Sequence, residues 1–140
     1  MIESDHVFPL LLSACPSFAR DYASSVENCG VELAYSHAAA FSRHLLALRN
    51  GGDIEALEAA GAAIERLLSE GSEEVRELTI AGLLEGIQNG WSNKGTDPEC
   101  FVRYLGPFGV RSWADLNAGW GGPAQAVPQG KRRESGGCVD

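Results

Sequence analysis

Apolar residues recur at helical spacing through most of residues 1–120, and the densest pattern lies in residues 72–91. Its apolar side chains fall on two adjacent stripes of one helix, Ile80, Leu84 and Ile87 on the first and Val75 and Leu78 on the second. A helix that is apolar over so much of its circumference is buried between neighbours. The pattern therefore predicts a core helix that begins at Ser72 as the N-cap and ends at Asn89-Gly90.

Four further helices are predicted before the core helix, and each has its own apolar stripe. Their expected bounds are about 3–14, 17–29, 32–50 and 54–70, and Asp53 is the expected N-cap of the last. The links between the third, fourth and core helices are two to four residues long, which favours antiparallel neighbours. No sequence repeat recurs at a fixed period, so we expect a compact up-down helical stack or bundle rather than a true solenoid.

The pattern changes after the core helix, where two short helices are predicted. Asp97-Pro98 is a typical start of one helix, which Gly106-Pro107 ends, and Ser112 is the expected N-cap of the other. No stretch has the alternating pattern of a strand. The expected fold class is therefore all-α, with about five main helices and two short C-terminal ones.

Residues 121–140 differ in composition from the rest of the chain, because glycine, proline, glutamine and serine dominate them. Too few apolar residues remain there to offset the entropy lost on ordering. We expect one helical domain over residues 1–120 and a disordered tail over residues 121–140. Deleting residues 124–140 is expected to leave the melting temperature within about 2 °C of its original value.

The net charge of the chain is −8, and most of the excess lies in one region. Residues 53–85 contain nine acidic residues and two basic ones, Arg66 and Arg76, a balance of −7. Such a surface disfavours nucleic-acid binding, which requires positive charge, and suits a basic protein partner. A solvated face that only keeps the protein soluble is the alternative interpretation. The candidate residues for contact with a partner are Glu58, Glu65, Glu70, Glu74 and Glu77.

Glu85 is a further candidate, because it lies in the most apolar part of the core helix. A carboxylate in such a place either has a partner or lies at the edge of a groove. In the first case it pairs with Arg43, Arg103 or Arg111 and stabilises helix packing. In the second case it is a recognition residue.

The three tryptophans, Trp91, Trp113 and Trp120, lie in the C-terminal part of the chain together with Tyr104 and Phe108. These aromatic residues form either a small core that holds the last helices on the bundle or a partly exposed binding platform. Large aromatic side chains supply buried area in the first case and interface hot spots in the second. Both interpretations remain open at the level of sequence.

No pattern in the chain predicts a catalytic, metal or cofactor site. His37 and His44 lie two helical turns apart, about 10 Å along the axis, which is too far for them to share one ion. The Glu3-x-x-His6 motif resembles half of a di-iron site but occurs once. Nucleophile elbows, phosphate-binding loops and C-x-x-C pairs do not occur. We expect no enzyme activity and no cofactor.

No apolar run approaches the roughly 18–20 residues that a membrane-spanning helix needs. The short apolar stretch 7–15 follows acidic residues, whereas a signal peptide carries basic ones in that place. We expect no association with a membrane and a cytoplasmic location.

Three segments carry a family resemblance: Glu65-Arg66-Leu67-Leu68, the stretch 75–87 with Leu83-Leu84-Glu85, and Leu105-Gly106-Pro107 followed by Trp113, Leu116 and Trp120. Together they resemble an uncharacterised family of small, acidic, all-helical bacterial proteins, a domain of unknown function. The resemblance spans about residues 5–121. Proteins of this kind resemble immunity proteins, which accompany bacterial toxins. The resemblance implies no catalytic residues.

Three functions are compatible with these observations. The first is a non-catalytic immunity protein that neutralises a cognate toxin by covering its active or substrate-binding surface. The second is a helical scaffold or adaptor for a cellular protein. The third is a metal-dependent enzyme of the helical-bundle kind. The first is the prediction, and its partner is expected to present a basic surface.

Overall fold

The computed structural model of the chain describes residues 1–120, apart from the side chain of Trp120. Seven α-helices lie in this part of the chain: α1 Val7–Ala14, α2 Ala19–Cys29, α3 Ala34–Asn50, α4 Ile54–Glu70, α5 Glu73–Glu77, α6 Glu85–Asn93 and α7 Pro107–Trp120. Three 3-10 helices, Ser4–His6, Pro16–Phe18 and Pro98–Tyr104, and one π-helical segment, Leu78–Leu84, complete the described elements. The predicted all-α fold class is confirmed. The predicted tail, 121–140, lies outside the described residues.

The predicted core helix is one continuous helical run over residues 73–93, formed by α5, the π-helical segment and α6. Ser72 is its N-cap as predicted, since its hydroxyl accepts a hydrogen bond from the Val75 N–H at 3.2 Å. The predicted end at Asn89-Gly90 is wrong, because α6 continues to Asn93. Burial of Trp91, only 1% exposed, holds this last turn in the core against Phe101.

The π-helical segment lies where the core helix packs against α3. Its Thr79 hydroxyl donates to the Val75 carbonyl at 2.7 Å, so this buried side chain has a partner within the helix. A Cβ atom built on Gly82 lies 3.1 Å from Ala38 and 3.3 Å from the Tyr35 ring. The absence of a side chain at Gly82 therefore allows α3 and the Tyr35 ring to approach closely.

Two helices organise the packing. α3 packs against α2, α6 and the π-helical segment, while α4 packs against α1 and α7. Gly61 of α4 touches the 3-10 helix Pro98–Tyr104, since a Cβ atom there overlaps the Tyr104 carbonyl oxygen. The fully buried side chains that fill the space between these elements include Phe18, Phe41, Leu57, Ile64, Leu83 and Trp91.

The N-terminal residues are bound to the link between α4 and α5. The Ile2 N–H donates to the Glu70 carbonyl at 2.8 Å, and the Ser72 N–H donates to the Ile2 carbonyl at 2.9 Å. This isolated parallel bridge between Ile2 and Gly71 is the one β-type pairing in the described part of the chain. The predicted first helix, 3–14, consists of a 3-10 turn followed by α1.

Candidate protein-binding site

Most of the acidic side chains of residues 53–85 have no partner in the described part of the chain. Three of the nine are engaged: Asp53 caps α4, Glu65 binds backbone amides, and Glu70 pairs with Arg66 at 3.0 Å. The pairing with Arg66 lowers the pKa of Glu70 below its ordinary value. The unpaired six are Glu55, Glu58, Glu73, Glu74, Glu77 and Glu85, and all but the half-buried Glu85 are exposed.

Glu65 was predicted as a contact residue for a partner, and the structure gives it a role within the fold. Its carboxylate accepts the Phe108 N–H at 2.8 Å and the Gly109 N–H at 2.9 Å. These amides belong to the first turn of α7, where a helix has unsatisfied N–H groups and favours negative charge. α7 consequently begins at Pro107 and not at Ser112 as predicted.

The Leu105-Gly106-Pro107 segment, which belongs to the most specific part of the family resemblance, serves this contact. A Cβ atom on Gly106 lies 2.6 Å from the Glu65 carboxyl carbon, so a side chain there meets the capping group. Pro107 at the first helical position needs no N–H partner. The motif therefore has a structural explanation, which is the docking of α7 on α4.

The predicted tryptophan platform is not formed by Trp91 and Trp113, because they are only 1% and 2% exposed. The Trp91 indole N–H donates to the Ser42 carbonyl at 3.2 Å, and that of Trp113 donates to Glu99 at 2.9 Å. Both residues belong to the core, which is the first of the two interpretations of the aromatic cluster. Trp120 ends α7, and its side chain is not described.

The predicted pairing of Glu85 with an arginine is not present among the described residues. Glu85 begins α6, is half-buried, and forms no ion pair or hydrogen bond with Arg43, Arg103 or Arg111. Glu58 lies elsewhere, in a cavity of about 450 Å³ beside Arg103 and Tyr104.

A larger cavity, of about 570 Å³, lies between the N-terminal turn, α1, α2, the start of α3 and α5. We call it the Tyr35 groove. Aromatic and aliphatic side chains form much of its lining, and no lysine, arginine or histidine contributes to it. Four carboxylates line it as well, and all four of these residues are exposed: Asp5, Glu32, Glu74 and Glu77.

Aromatic packing builds the lining of the Tyr35 groove. The rings of Phe8 and Tyr22 stack, with centroids 5.3 Å apart and planes inclined by 17°. Tyr35 is 53% exposed, and its ring lies beside Gly82 of the π-helical segment. Val31, 67% exposed, adds an apolar side chain from the loop between α2 and α3.

Buried His37 fixes that loop. Its Nε2 lies 2.8 Å from the Gly30 carbonyl oxygen, and because a carbonyl can only accept, Nε2 carries the proton. Its Nδ1 lies 2.6 Å from the Ser25 hydroxyl. Gly30, at a φ of 91°, ends α2 in a conformation that glycine adopts readily. The positions of Val31 and Glu32 are thus set by a buried histidine.

Ser17, His44 and Asp21 form a hydrogen-bonded chain in the order found in serine hydrolases. Ser17 Oγ lies 2.8 Å from His44 Nε2, and His44 Nδ1 donates to Asp21 Oδ2 at 3.1 Å. The Asp21 side chain is 53% exposed and Ser17 is exposed, whereas a hydrolase holds its aspartate buried. The neighbouring cavity of about 470 Å³ is lined by His44 and Asp21 but not by Ser17. We interpret the three residues as a clamp that joins His44 of α3 to Ser17 of the 3-10 helix Pro16–Phe18 and to Asp21 of α2.

Within residues 1–120, no group of three or more His, Cys, Asp or Glu side chains is arranged to hold a metal ion. None of the helices in that part of the chain has the length and apolar character needed to cross a bilayer. The half-motif Glu3-x-x-His6 lies on an exposed turn, where His6 is 3.5 Å from Asp5.

The sequence analysis identified two of the groove carboxylates, Glu74 and Glu77, and missed Asp5, Glu32 and Tyr35. Asp5 comes from the N-terminal 3-10 turn, and Glu32 and Tyr35 come from the region where α3 begins. Both segments are far from α5 in the chain, so only the tertiary fold places them around one cavity. One local signal was visible. Val31 lies in the link between the predicted helices 17–29 and 32–50, and Leu33 lies at the start of the second; both are more apolar than a solvated helix boundary requires.

The fold and the site define a small all-α protein with an acidic, aromatic-lined groove. A family model for a domain of unknown function, DUF7674, matches residues 8–121, and the chain belongs to this family. No curated protein and no solved structure matches the chain. The predicted membership in an uncharacterised family is confirmed, and the family assigns no activity.

Proposed function

We propose that this protein is a non-catalytic, protein-binding protein of the immunity type. It acts in the cytoplasm and neutralises a cognate toxin by covering a basic active or substrate-binding surface. The observation that carries the proposal is the set of six unpaired carboxylates between Glu55 and Glu85, five of them exposed. Such charge attracts a basic surface from a distance and speeds its docking.

The negative charge of residues 53–85 is also larger than the fold requires. Of the nine acidic residues in 53–85, Asp53 and Glu65 cap helices and Glu70 forms an ion pair within its own helix. Exposed carboxylates without partners contribute little to stability and repel one another. A binding partner that supplies positive charge relieves this repulsion, which favours the binding function over a merely solvated face.

The test is co-expression with the protein encoded by the adjacent gene. We expect that protein to inhibit growth when produced alone, and growth to recover when this chain is produced with it. The purified pair is expected to elute as one complex, with association that slows as salt is added. A toxic neighbour that this chain neither binds nor neutralises contradicts the proposal. A stable complex with a non-toxic cellular protein favours the adaptor function over the immunity function.

A further inference from the structure

The Tyr35 groove combines two features that recognise the same kind of side chain. Its carboxylates attract a cation, and its aromatic rings offer faces on which a flat cation can stack. No basic residue of the chain itself lines the groove, so none of its own lining residues neutralises it. Its volume of about 570 Å³ lies within the range of roughly 300–1,000 Å³ that is usual for ligand sites.

Glu74 and Glu77 supply the paired part of this charge. They lie three residues apart on α5, which places them on the same side of the helix, and neither has an ion pair or hydrogen bond through its side chain. Two neighbouring carboxylates suit a guanidinium group, which has five donors in a planar fork. A lysine ammonium has the charge but not the planar face that stacks on Tyr35.

We infer that the Tyr35 groove receives an arginine-bearing segment of the partner protein. The guanidinium group binds the carboxylates of Glu74 and Glu77, and the alkyl stem of the arginine packs on the apolar side chains of the groove. The inference rests on the proposed function, since it names the chemistry by which the partner is held. The groove joins the unpaired charge of Glu74 and Glu77 to the exposed ring of Tyr35.

The experiment is a titration of the ¹⁵N-labelled full chain with two peptides, followed by NMR at about 0.15 M ionic strength to screen distant charges. One peptide carries two arginines between glycines, and the other has glutamine in their place. We expect the arginine peptide to shift the amide signals of residues 31–35 and 74–78 in a saturable manner. The glutamine peptide is expected to leave them unchanged.

Matched variants separate the groove from general charge. Glu74→Gln with Glu77→Gln is expected to weaken binding of the arginine peptide about tenfold, because two solvent-exposed ion pairs with the arginines are lost. Glu55→Gln with Glu58→Gln removes the same charge outside the groove and should weaken binding less than about threefold. Tyr35→Ala is expected to weaken binding while Tyr35→Phe retains it, because the ring face and not the hydroxyl makes the contact.

Several outcomes overturn the inference, and a further one contradicts only the proposed function. Shifts spread over all acidic regions, or equal losses in the two double variants, show a general charge effect. If spermidine binds the groove as tightly as the arginine peptide does, the groove is a site for free polyamines and not for an arginine side chain. A toxin partner can also bind the Tyr35→Ala variant and the Glu74→Gln, Glu77→Gln variant as tightly as the original protein. That result excludes the groove as the binding site and leaves the proposed function intact. If the groove binds the arginine peptide specifically but the chain has no protein partner, the proposed function is contradicted while the groove is kept as an arginine-binding site.

Discussion

Individual side chains in this protein have roles that their residue types alone do not reveal. Cys15 is an example, because burial raises its pKa to about 11 and its thiol lies 3.5 Å from the Ala56 carbonyl oxygen. It is therefore a packed apolar side chain and not a reactive thiolate. His37 and His44 are likewise fixed by two hydrogen bonds each, in helix contacts.

The clamp formed by Ser17, His44 and Asp21 makes a prediction at the residue scale. His44→Gln is expected to lower the free energy of unfolding by about 1 kcal/mol in urea denaturation, since it disrupts two hydrogen bonds between helices. His6→Gln, at an exposed histidine, is the control and should change the free energy by less than about 0.5 kcal/mol.

The same residues allow a direct test for hydrolase chemistry. We expect the protein and its Ser17→Ala variant to hydrolyse p-nitrophenyl acetate at equal rates, because a half-exposed Asp21 does not hold a histidine in a water-excluded site. A rate that depends on both Ser17 and His44 contradicts the clamp interpretation and identifies an esterase.

At the scale of elements, α7 depends on a side chain from α4. Its first turn is held by the Glu65 carboxylate, and its interior by a hydrogen bond from Asn117 to Glu99 at 3.1 Å. Asn117 also accepts a hydrogen bond from Gln88 of α6 at 3.2 Å. α7 is therefore attached at both its start and its middle to elements that precede it in the chain.

Glu65→Ala tests this attachment. We expect the free energy of unfolding to fall by about 1–2 kcal/mol, because two backbone N–H groups lose a charged acceptor in a half-buried place. Hydrogen exchange at the amides of Phe108 and Gly109 is expected to speed up more than exchange in α3. Glu58→Ala, an exposed glutamate of the same helix, should cost less than about 0.5 kcal/mol. Equal effects of the two substitutions contradict the capping role.

The molecule as a whole carries a net charge of −8 with six unpaired carboxylates in one region. Mutual repulsion between these groups opposes folding, and salt screens it over a Debye length of about 10 Å at 0.1 M. In the proposed complex, a basic surface of the partner removes the same repulsion.

We therefore expect the urea midpoint to rise as sodium chloride is increased from about 0.02 to 0.2 M, a range over which the screening length falls markedly. In a variant with Glu55→Gln and Glu58→Gln the rise should be smaller, since less repulsion remains to be screened. A midpoint that falls with added salt shows instead that ion pairs such as that of Arg66 with Glu70 outweigh the repulsion.

The sequence by itself determined the features that depend on neighbouring residues along the chain. The N-caps at Asp53, Ser72 and Asp97 are present as predicted, because each cap is a bond between a side chain and an amide two or three residues later. The all-α class and the burial of the core helix follow from apolar spacing in the same way.

Tertiary structure alone decided the features that join distant segments. α7 starts at Pro107 because Glu65, more than forty residues earlier, accepts its first amides. Trp91 and Trp113 are buried because several helices pack around them, and this packing decides between the two interpretations that the sequence left open. The Tyr35 groove exists because the tertiary fold places Asp5 of the N-terminal turn, Tyr35 of α3 and Glu74 of α5 around one cavity.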